Sequence, residues 1–204
     1  MRLLVATRSA GKQAEARRIL EAAGHEVVFP DDAGVLESAA EESLETDATF
    51  VGNARQKAEY FQRRTGLPTV ADDSGLEVLS LGGAPGIRSK RWAGAAGTPA
   101  EVDAANNAEL LRRLRGAPAA KRSARYRCVL VLLRSANAVP EVFEGDCAGR
   151  ILEAPVGTGG FGYDPLFWSA ELDKSFGEAT PEEKDRVSHR GRAFTALVAA
   201  LGSA

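Results

Sequence analysis

The sequence predicts an α/β fold, because short apolar runs typical of buried strands alternate with segments of helical periodicity. The first such pair is a strand at Arg2–Ala6 followed by a helix over about 12–23. The strongest strand prediction covers Arg122–Leu133, which is almost continuously apolar toward its end. A capping box at Thr98–Glu101, with Pro at the first helical position, predicts a helix to about Arg115. Folds of this class keep their sites at strand ends, so we expect functional polar residues there.

The composition is that of an ordinary globular chain. It has 204 residues, 44% hydrophobic and 26% charged, which predicts a single domain over residues 1–204, built either as one large body or as two small lobes with a shared core. A net charge of -2 gives no general attraction to a nucleic acid polymer. No apolar stretch approaches the length of a membrane span or a signal peptide, so we expect neither membrane insertion nor export. Cys128 and Cys147 are too few for a disulfide framework, so we expect a reduced, cytoplasmic protein with Cys128 as a core thiol.

The polar loop after the first strand has the arrangement of an anion site. Thr7–Lys12 runs into a helix whose N-terminus presents N–H groups and the positive end of its dipole. Lys12 adds a full positive charge at this end. The alternative is a solvent-exposed lysine that begins a surface helix. The segment is not a P-loop, since the GxxxxGK[ST] spacing is missing.

An acidic run and a second helix follow. Glu26–Phe29 predicts a strand, and residues 30–48 are acidic and poor in apolar residues, which is typical of a solvated loop. The helix over about 49–64 has an apolar face. Asn53 and Lys57 are four residues apart on a different face, which looks either into a cleft or into water.

The pentapeptide Ala71–Gly75 is the most informative stretch of the chain. It follows the apolar run Leu67–Ala71, which predicts a buried strand with Asp72 and Asp73 at its end. Neighbouring strand residues face opposite ways, so we expect one carboxylate to face a cleft and the other its supports. Paired carboxylates repel unless a cation lies between them, and Mg²⁺ suits that role. The alternative is an Asx turn that closes a strand.

The middle of the chain carries weaker signals. Leu76–Leu79 can extend as a strand until Leu81–Gly86 breaks it. The basic, aromatic segment Arg88–Trp92 either approaches phosphate or forms a surface patch. Pro140–Ile151 is expected to pair with the strand at Arg122–Leu133 as a hairpin.

A glycine-rich, aromatic segment lies at Gly157–Gly162. It matches GxGxxG literally, but no βαβ unit surrounds it, so it is a poor dinucleotide-binding fingerprint. Its glycines allow close approach of a ligand to the backbone, and Phe161 and Tyr163 suit stacking on a base. The alternative is a tight turn with a packed ring.

The C-terminal region is predicted to be helical. A second capping box, Thr180–Glu183, places Lys184 in the first turns of a helix. Apolar periodicity predicts a last helix near 188–201, with His189 at its start. A lone histidine without a metal-ligand cysteine pair does not make a zinc site.

Together these segments resemble the inosine triphosphate pyrophosphatase-like family, which hydrolyses non-standard purine nucleoside triphosphates. The matching blocks occur in the family's order and span nearly the whole chain. They are Thr7–Lys12, Glu45–Ala58, Ala71–Gly75, Leu81–Gly86, Gly157–Pro165 and Glu183–Lys184 with Ser188–Gly191.

The resemblance implies a mixed, curved sheet flanked by helices, with two lobes around a long central cleft. It implies hydrolysis of ITP, dITP and XTP to the monophosphate and pyrophosphate, with Mg²⁺ as cofactor. It further implies a cytoplasmic homodimer that binds these purine nucleotides, and neither a nucleic acid polymer nor a membrane.

The resemblance also implies residue roles. Asp73 is the implied catalytic base, which orients a water for attack at the α-phosphorus; Glu45 and Asp73 are the implied metal ligands, with Asp72 a further candidate. The residues implied to bind the phosphates or the adjoining substrate are Thr7, Arg8, Ser9, Ala10, Gly11, Lys12, Lys57, Ser74 and Lys184. The residues implied to select the base are Phe161, Gly162, Tyr163, Asp164, His189 and Arg190. A 6-oxo purine offers an acceptor where adenine offers a donor, so a fixed N–H donor excludes adenine.

Some positions depart from the family pattern. Arg8 stands where Gly or Asn is common, and Ser9 where Asn is frequent. Gly52 replaces a Glu, and Asp47 replaces a frequent Gly. These changes affect the geometry of two loops but leave the acidic pair and the lysines intact.

Two other functions are consistent with parts of the sequence. One is a nucleotide-binding module that has lost catalysis, against which the intact acids and lysines argue. The other is a pyrophosphatase for modified pyrimidine triphosphates, which a comparison of purine and pyrimidine substrates distinguishes.

Overall fold

We describe the protein from a computed structural model. The described residues are 1–202, with the backbone alone for Glu42. The helices are α1 (Ala10–Ala22), α2 (Phe50–Thr65), α3 (Pro99–Arg113), α4 (Pro181–Val187) and α5 (His189–Gly202). The strands are β1 (Arg2–Val5), β2 (Glu26–Val28), β3 (Thr69–Val78), β4 (Ser123–Leu133), β5 (Glu141–Ile151), β6 (Phe167–Ser169) and β7 (Lys174–Ser175). Within residues 1–202, no helix has the length and apolar composition that crossing a membrane requires.

The strands hydrogen-bond in the order β2-β1-β3-β4-β5-β6-β7. β1 pairs in parallel with β2 and with β3. β6 pairs antiparallel with β5 and with β7. The sheet is therefore mixed and accompanied by helices, which confirms the predicted α/β class.

The chain divides into two compact units. Unit 1 contains Met1–Asp73, Cys128–Gly145 and the chain from Arg190 onward. Unit 2 contains Ser74–Arg127 and Asp146–His189.

Unit 1 has a core on each face of its strands. Leu3 and Val5 pack in one cluster with residues of α1 and α5, whereas Leu4 and Ala6 pack in another with residues of α2. This alternation is the two-residue period of a strand. Cys128 is fully buried in the first cluster, where burial, together with the Asp72 charge, raises its pKa to about 12. The prediction of a core thiol is confirmed.

Unit 2 has one core, which is rich in aromatic rings. Tyr126 packs against Phe167 with ring centroids 4.7 Å apart, and Phe167 against Phe176 at 5.0 Å. Leu110 and Leu114, at the C-terminal end of α3, also pack in this core.

The structure corrects the predicted position of the acidic pair. Asp72 and Asp73 lie in the middle of β3, not at a strand end. The strand continues because Leu76 and Val78 extend the buried face, and because Gly75 has no Cβ that would collide with the carbonyl oxygen of Gly86.

Two further predictions were wrong or incomplete. The acidic stretch 30–48, predicted to be a solvated loop, contains a 3₁₀ helix at Ala39–Glu45. The short strands β6 and β7 were not predicted, because two or three residues carry too little periodicity to detect. Both predicted capping boxes are present, at Thr98 with Glu101 and at Thr180 with Glu183.

Candidate active site

The acidic pair of unit 1 is buried and surrounded by charged and polar side chains. Asp72 is 4% exposed and Asp73 is 5% exposed. The Nζ of Lys12 lies 3.0 Å from Asp72 Oδ2, while the amide of Asn53 donates to Asp73 Oδ2 at 2.9 Å. The two carboxylates thus have different neighbours, as their adjacent positions on a strand require. We call Lys12, Glu15, Glu45, Asn53, Lys57, Asp72, Asp73 and Arg190 the carboxylate cluster.

Asp72 is held as a carboxylate by the cations around it. Arg190, 2% exposed, lies with its Nε 3.3 Å from Asp72 Oδ2, and its Nη1 donates to Glu15. Burial by itself raises the pKa of the Asp72 carboxyl. The charges of Lys12 and Arg190, with a smaller contribution from Lys57, outweigh burial and hold that pKa well below its usual range.

Asp73 has the opposite electrostatic environment. Burial raises the pKa of its carboxyl, and Glu45 adds to this effect, so that Lys57 and Lys12 do not bring the pKa back to its ordinary value. Adjacent acids with pKa values pushed apart are typical of sites where one carboxyl stays charged and the other exchanges protons.

Lys57 joins the pair to the 3₁₀ helix that carries Glu45. Its Nζ lies 2.8 Å from Glu45 Oε1 and also donates to the carbonyl oxygen of Asp72. Burial lowers the pKa of Lys57, but the charges of Glu45, Asp73 and Asp72 outweigh burial and raise it. Lys57 therefore stays positively charged. It lies on the α2 face for which the sequence allowed two environments, a cleft or water.

The donor set of the cluster suits a hard cation. Among residues 1–202, no group of His, Cys, Asp or Glu side chains forms a complete metal site of three or more ligands. Mg²⁺ is commonly held by only one or two carboxylates, with water and substrate phosphate completing its shell. Glu45 and Asp73 interact electrostatically and are the two carboxylates that could hold such an ion.

Helix α1 begins at Ala10, directly after the polar loop at residues 7–9. Ser9 occupies the N-cap position without a side-chain hydrogen bond to the helix, and the first turn contains no acidic residue. The N–H groups of this turn and the charge of Lys12 therefore favour an anion. The backbone of Thr7 is fixed nearby, since its carbonyl accepts from Gln13 at 3.0 Å.

Arg8 uses its side chain for a different purpose. Its guanidinium donates to both carboxylate oxygens of Glu41, at 3.1 and 2.8 Å, and to the carbonyl of Val35 at 2.8 Å. It also pairs with Asp31. Arg8 therefore ties the acidic stretch 31–41 to the loop before α1, which accounts physically for an arginine at this position.

The departures at Asp47 and Gly52 are coupled. A Cβ on Gly52 would lie 2.1 Å from the Cγ of Asp47, so the glycine makes room for that carboxylate. Asp47 Oδ1 accepts from the backbone and the hydroxyl of Thr49, the N-cap of α2. The N–H of Asp47 donates to Asn53 Oδ1 at 2.9 Å, and the same amide holds Asp73. This arrangement links the loop at 47–49 to the acidic pair.

In unit 2, Phe161, Gly162 and Tyr163, three of the residues implied to select the base, lie in a loop with Asp164. We call residues 157–164 the glycine loop. Asp164 Oδ2 accepts from the N–H of Phe161 at 2.8 Å and pairs with the Nζ of Lys184, while Asp164 Oδ1 accepts from Tyr126 at 3.4 Å. Lys184 also lies over the Phe161 ring, 4.7 Å from its centroid. The structure thus joins Phe161, Asp164 and Lys184 in one polar centre.

Two glycines of this loop, Gly157 and Gly160, are required by close contacts. Gly157 packs backbone to backbone against Gly177, and a Cβ on Gly157 would lie 2.2 Å from the Gly177 carbonyl carbon. A Cβ on Gly160 would lie 2.1 Å from Asp164 Oδ2, and Gly160 has a φ of +70°. Larger residues at these positions would displace the loop.

The aromatic residues of the loop have separate roles. Tyr163 is 4% exposed in the core and its hydroxyl donates to the carbonyl of Ser89 at 2.8 Å, so its ring is not available for stacking on a base. For Tyr163 the packed-ring interpretation is right; Phe161 is only partly buried. His189 is buried and stacks on Tyr126 at 4.5 Å between ring centroids.

Comparison with known proteins identifies the family. A model of the Ham1 family matches residues 3–200. This chain belongs to the Ham1 family. A dITP/XTP pyrophosphatase of Shigella flexneri is 44% identical over 201 residues, covering 98% of this chain and 98% of that protein. The structure of a HAM1 protein from Coxiella burnetii matches with a TM-score of 0.85 and 35% identity, covering 100% of each chain. A nucleoside-triphosphatase / dITP/XTP pyrophosphatase from Mycobacterium abscessus matches with a TM-score of 0.72 and 43% identity, covering 97% of this chain and 98% of that one.

Sequence reasoning on this Ham1 chain missed several residues that build the two regions. Glu15 is 5% exposed and binds Arg190, although a glutamate on an amphipathic helix carries no sign of burial. Asp103 and Asn107, on α3, contact the glycine loop. Their four-residue spacing on one helix face was the available signal, but polar pairs at this spacing are common on exposed helices.

Proposed function

We propose that this Ham1-family protein hydrolyses non-standard purine nucleoside triphosphates, namely ITP, dITP and XTP, to the monophosphate and pyrophosphate. The observation that carries the proposal is the buried Asp72–Asp73 pair beside Lys12 and Lys57, in a chain similar over its full length to dITP/XTP pyrophosphatases. Cations and carboxylates in one cluster suit a phosphate chain with a bound metal ion. Such a reaction removes deaminated purines from the nucleotide pool.

The phosphate chain is proposed to bind at the carboxylate cluster and the start of α1. A lysine ammonium has three donors, so Lys12 and Lys57 retain donors for phosphate oxygens beside their bonds to Asp72 and Glu45. The N–H groups of residues 7–12 add neutral donors and the helix dipole. Ser74 and Lys184 are also proposed to bind the substrate, as the family resemblance implies.

Asp73 is proposed as the base that takes a proton from the attacking water. Asn53 fixes one of its oxygens, which orients the carboxylate. Mg²⁺, when bound by Glu45 and Asp73, neutralises charge on the phosphate oxygens. Lys12 and Lys57 stabilise the charge that moves onto the leaving pyrophosphate. Most of the rate acceleration is therefore expected from positioning and electrostatics.

The base is proposed to be read by the backbone of Phe161–Asp164 and by His189. Arg190 is proposed to have a different role from the base selection that the resemblance implies, because its guanidinium donates to Glu15 and Asp72 within unit 1. It holds Asp72 in place and keeps it charged. A homodimer is proposed from the family resemblance alone, and a cytoplasmic location from that resemblance together with the low number of cysteines.

The test is product analysis on the purified full chain. ITP, XTP, dUTP and methylated dTTP are supplied at equal concentration with Mg²⁺, and monophosphate and pyrophosphate are quantified. We expect pyrophosphate release from ITP and XTP well above that from the pyrimidines, and none with EDTA. Binding of ITP without pyrophosphate release would support the silent module, and preference for methylated dTTP would support the pyrimidine enzyme.

A further inference from the structure

Two side chains of helix α3 bind the backbone N–H and the backbone carbonyl of Gly162 in the glycine loop. The N–H of Gly162 donates to Asp103 Oδ2 at 2.7 Å. The carbonyl of Gly162 accepts from the Nδ2 of Asn107 at 2.9 Å. Asp103 and Asn107 are four residues apart, so they present an acceptor and a donor from the same face of α3. We call this pair the Gly162 clamp.

The clamp is specific in its chemistry. Reversing the Asn107 amide would place its oxygen against the Gly162 carbonyl, so the hydrogen bond fixes the orientation of the amide. The Oδ1 of Asn107 is buried and has no hydrogen-bond partner among the described residues. The site therefore satisfies the Nδ2 end of this amide but not its oxygen. The hydrogen bond to the loop is the interaction that an amide at position 107 provides.

The clamp acts where the loop has no other side-chain support. Gly162 has a φ of +63° and no side chain of its own to pack. Its neighbours are anchored elsewhere: the N–H of Phe161 to Asp164, and the hydroxyl of Tyr163 to the carbonyl of Ser89. Without the clamp, the peptide groups between these anchors can rotate while the anchors themselves stay in place.

We propose that Asp103 and Asn107 are positioning residues for base selection, which hold the peptide groups around Gly162 in the orientation that accepts a 6-oxo purine. The inference rests on the proposed function, because the backbone of Phe161–Asp164 is the proposed base reader. Discrimination between 6-oxo and 6-amino purines depends on which backbone group faces the ring, and a rotated peptide exchanges a donor for an acceptor. The clamp thus controls selectivity without touching the substrate.

A purely structural clamp would behave differently. Removing it would lower thermal stability and would reduce turnover of all nucleotides by a common factor. A positioning clamp changes the ratio of kcat/KM for ITP to kcat/KM for ATP, and acts mainly through KM. The selectivity ratio is therefore the decisive measurement.

The experiment compares Asp103→Ala, Asn107→Ala and the conservative Asp103→Asn, all in the full chain with Mg²⁺. Asparagine at 103 keeps an acceptor for the Gly162 N–H, so it is the rescue variant. Glu109→Ala is the control, since it also removes one carboxylate from α3, and Glu109 forms ion pairs with the surface residues Arg112 and Arg113. For each protein, kcat and KM are measured with ITP, XTP and ATP, and unfolding is followed by circular dichroism.

We expect Asp103→Ala and Asn107→Ala to lower kcat/KM for ITP by about tenfold, as for an unsatisfied buried group, chiefly through a higher KM. The ITP-to-ATP ratio falls by a similar factor, is largely restored in Asp103→Asn and is unchanged in Glu109→Ala. If either alanine variant fails to fold, leucine replaces alanine at that position, because leucine keeps a similar side-chain shape and removes the polar group without adding a charge.

An ITP-to-ATP ratio within about twofold of wild type in every folded clamp variant would overturn the inference, since that is within the effect of an ordinary surface change. In that case wild-type turnover of ITP leaves the proposed function standing. If wild type releases no pyrophosphate from ITP, the proposed function fails first and the inference fails with it. The two failures are therefore distinguishable.

Discussion

Different interactions stabilise the carboxylate cluster of unit 1 and the glycine loop of unit 2. In the cluster, side chains of opposite charge hold one another, as in the pair of Lys12 with Asp72 and the pair of Lys57 with Glu45. In the loop, backbone groups bond to side chains, and glycines allow contacts that a Cβ would prevent. The cluster should therefore be sensitive to loss of charge, and the loop to added volume.

The largest expected effect comes from removing one charge in the cluster without changing its shape. Asp73→Asn should lower kcat for ITP by about a hundredfold to ten-thousandfold, because the proposed base and metal ligand is neutralised. Asn53 can still donate to the new side chain, so the fold should survive. Pyrophosphate release measures kcat, and circular dichroism checks the fold.

Asp173→Asn is the matched control for this change. Asp173 is exposed and has a φ of +52°, which asparagine also adopts readily. We expect its kinetics to equal those of wild type. Near-normal turnover in Asp73→Asn would remove Asp73 from its proposed role.

An intermediate effect is expected from adding one methyl group to the loop. Gly160→Ala introduces a Cβ 2.1 Å from Asp164 Oδ2, the atom that anchors Phe161 and Lys184. Displacement of the loop by this contact should lower kcat/KM for ITP by about tenfold to a hundredfold. Steady-state kinetics with ITP measure the change.

Gly116→Ala is the control for Gly160→Ala. It separates the effect of the Cβ collision with Asp164 from the effect of backbone strain. Gly116 has a similar φ of +72°, but nothing lies within 4 Å of a Cβ placed there. Both variants share a strain of about 1–2 kcal/mol from the left-handed backbone. Equal kinetics in the two variants would contradict the proposal that loop volume matters.

The smallest expected effect concerns the ion pair between Arg8 and Glu41. Its side chains are 17% and 14% exposed and meet through two hydrogen bonds. A double-mutant cycle with alanine at both positions should give a coupling free energy on the order of 1 kcal/mol in denaturant unfolding. The pair of Arg17 with Glu21, 47% and 48% exposed, should give about 0.3–0.5 kcal/mol. Equal couplings would mean that Arg8 does not stabilise the acidic stretch.

Local patterns predicted the helices well, because their signals lie within a few residues. The capping boxes at Thr98 and Thr180 fix two helix starts through side chains three residues away. The motif around Asp72 and Asp73 identified two acids that the structure buries together, but their position within the strand was predicted wrongly. The strand end was misplaced because the apolar run stops at Ala71, whereas the strand continues through the two acids to Val78 and Gly75 approaches Gly86 closely.

Residues alone identify the family, the chemical types in the site and most helix boundaries, because these depend on short motifs. The sequence alone does not reveal which charged side chains contact each other. Arg190 and Asp72 are 118 positions apart in the chain, and their contact exists only because folding brings both residues into the same unit. Folding therefore decided that Asp72 stays charged, that Asp73 has a raised pKa and that Tyr163 is a core ring, since burial and the choice of neighbours are long-range properties.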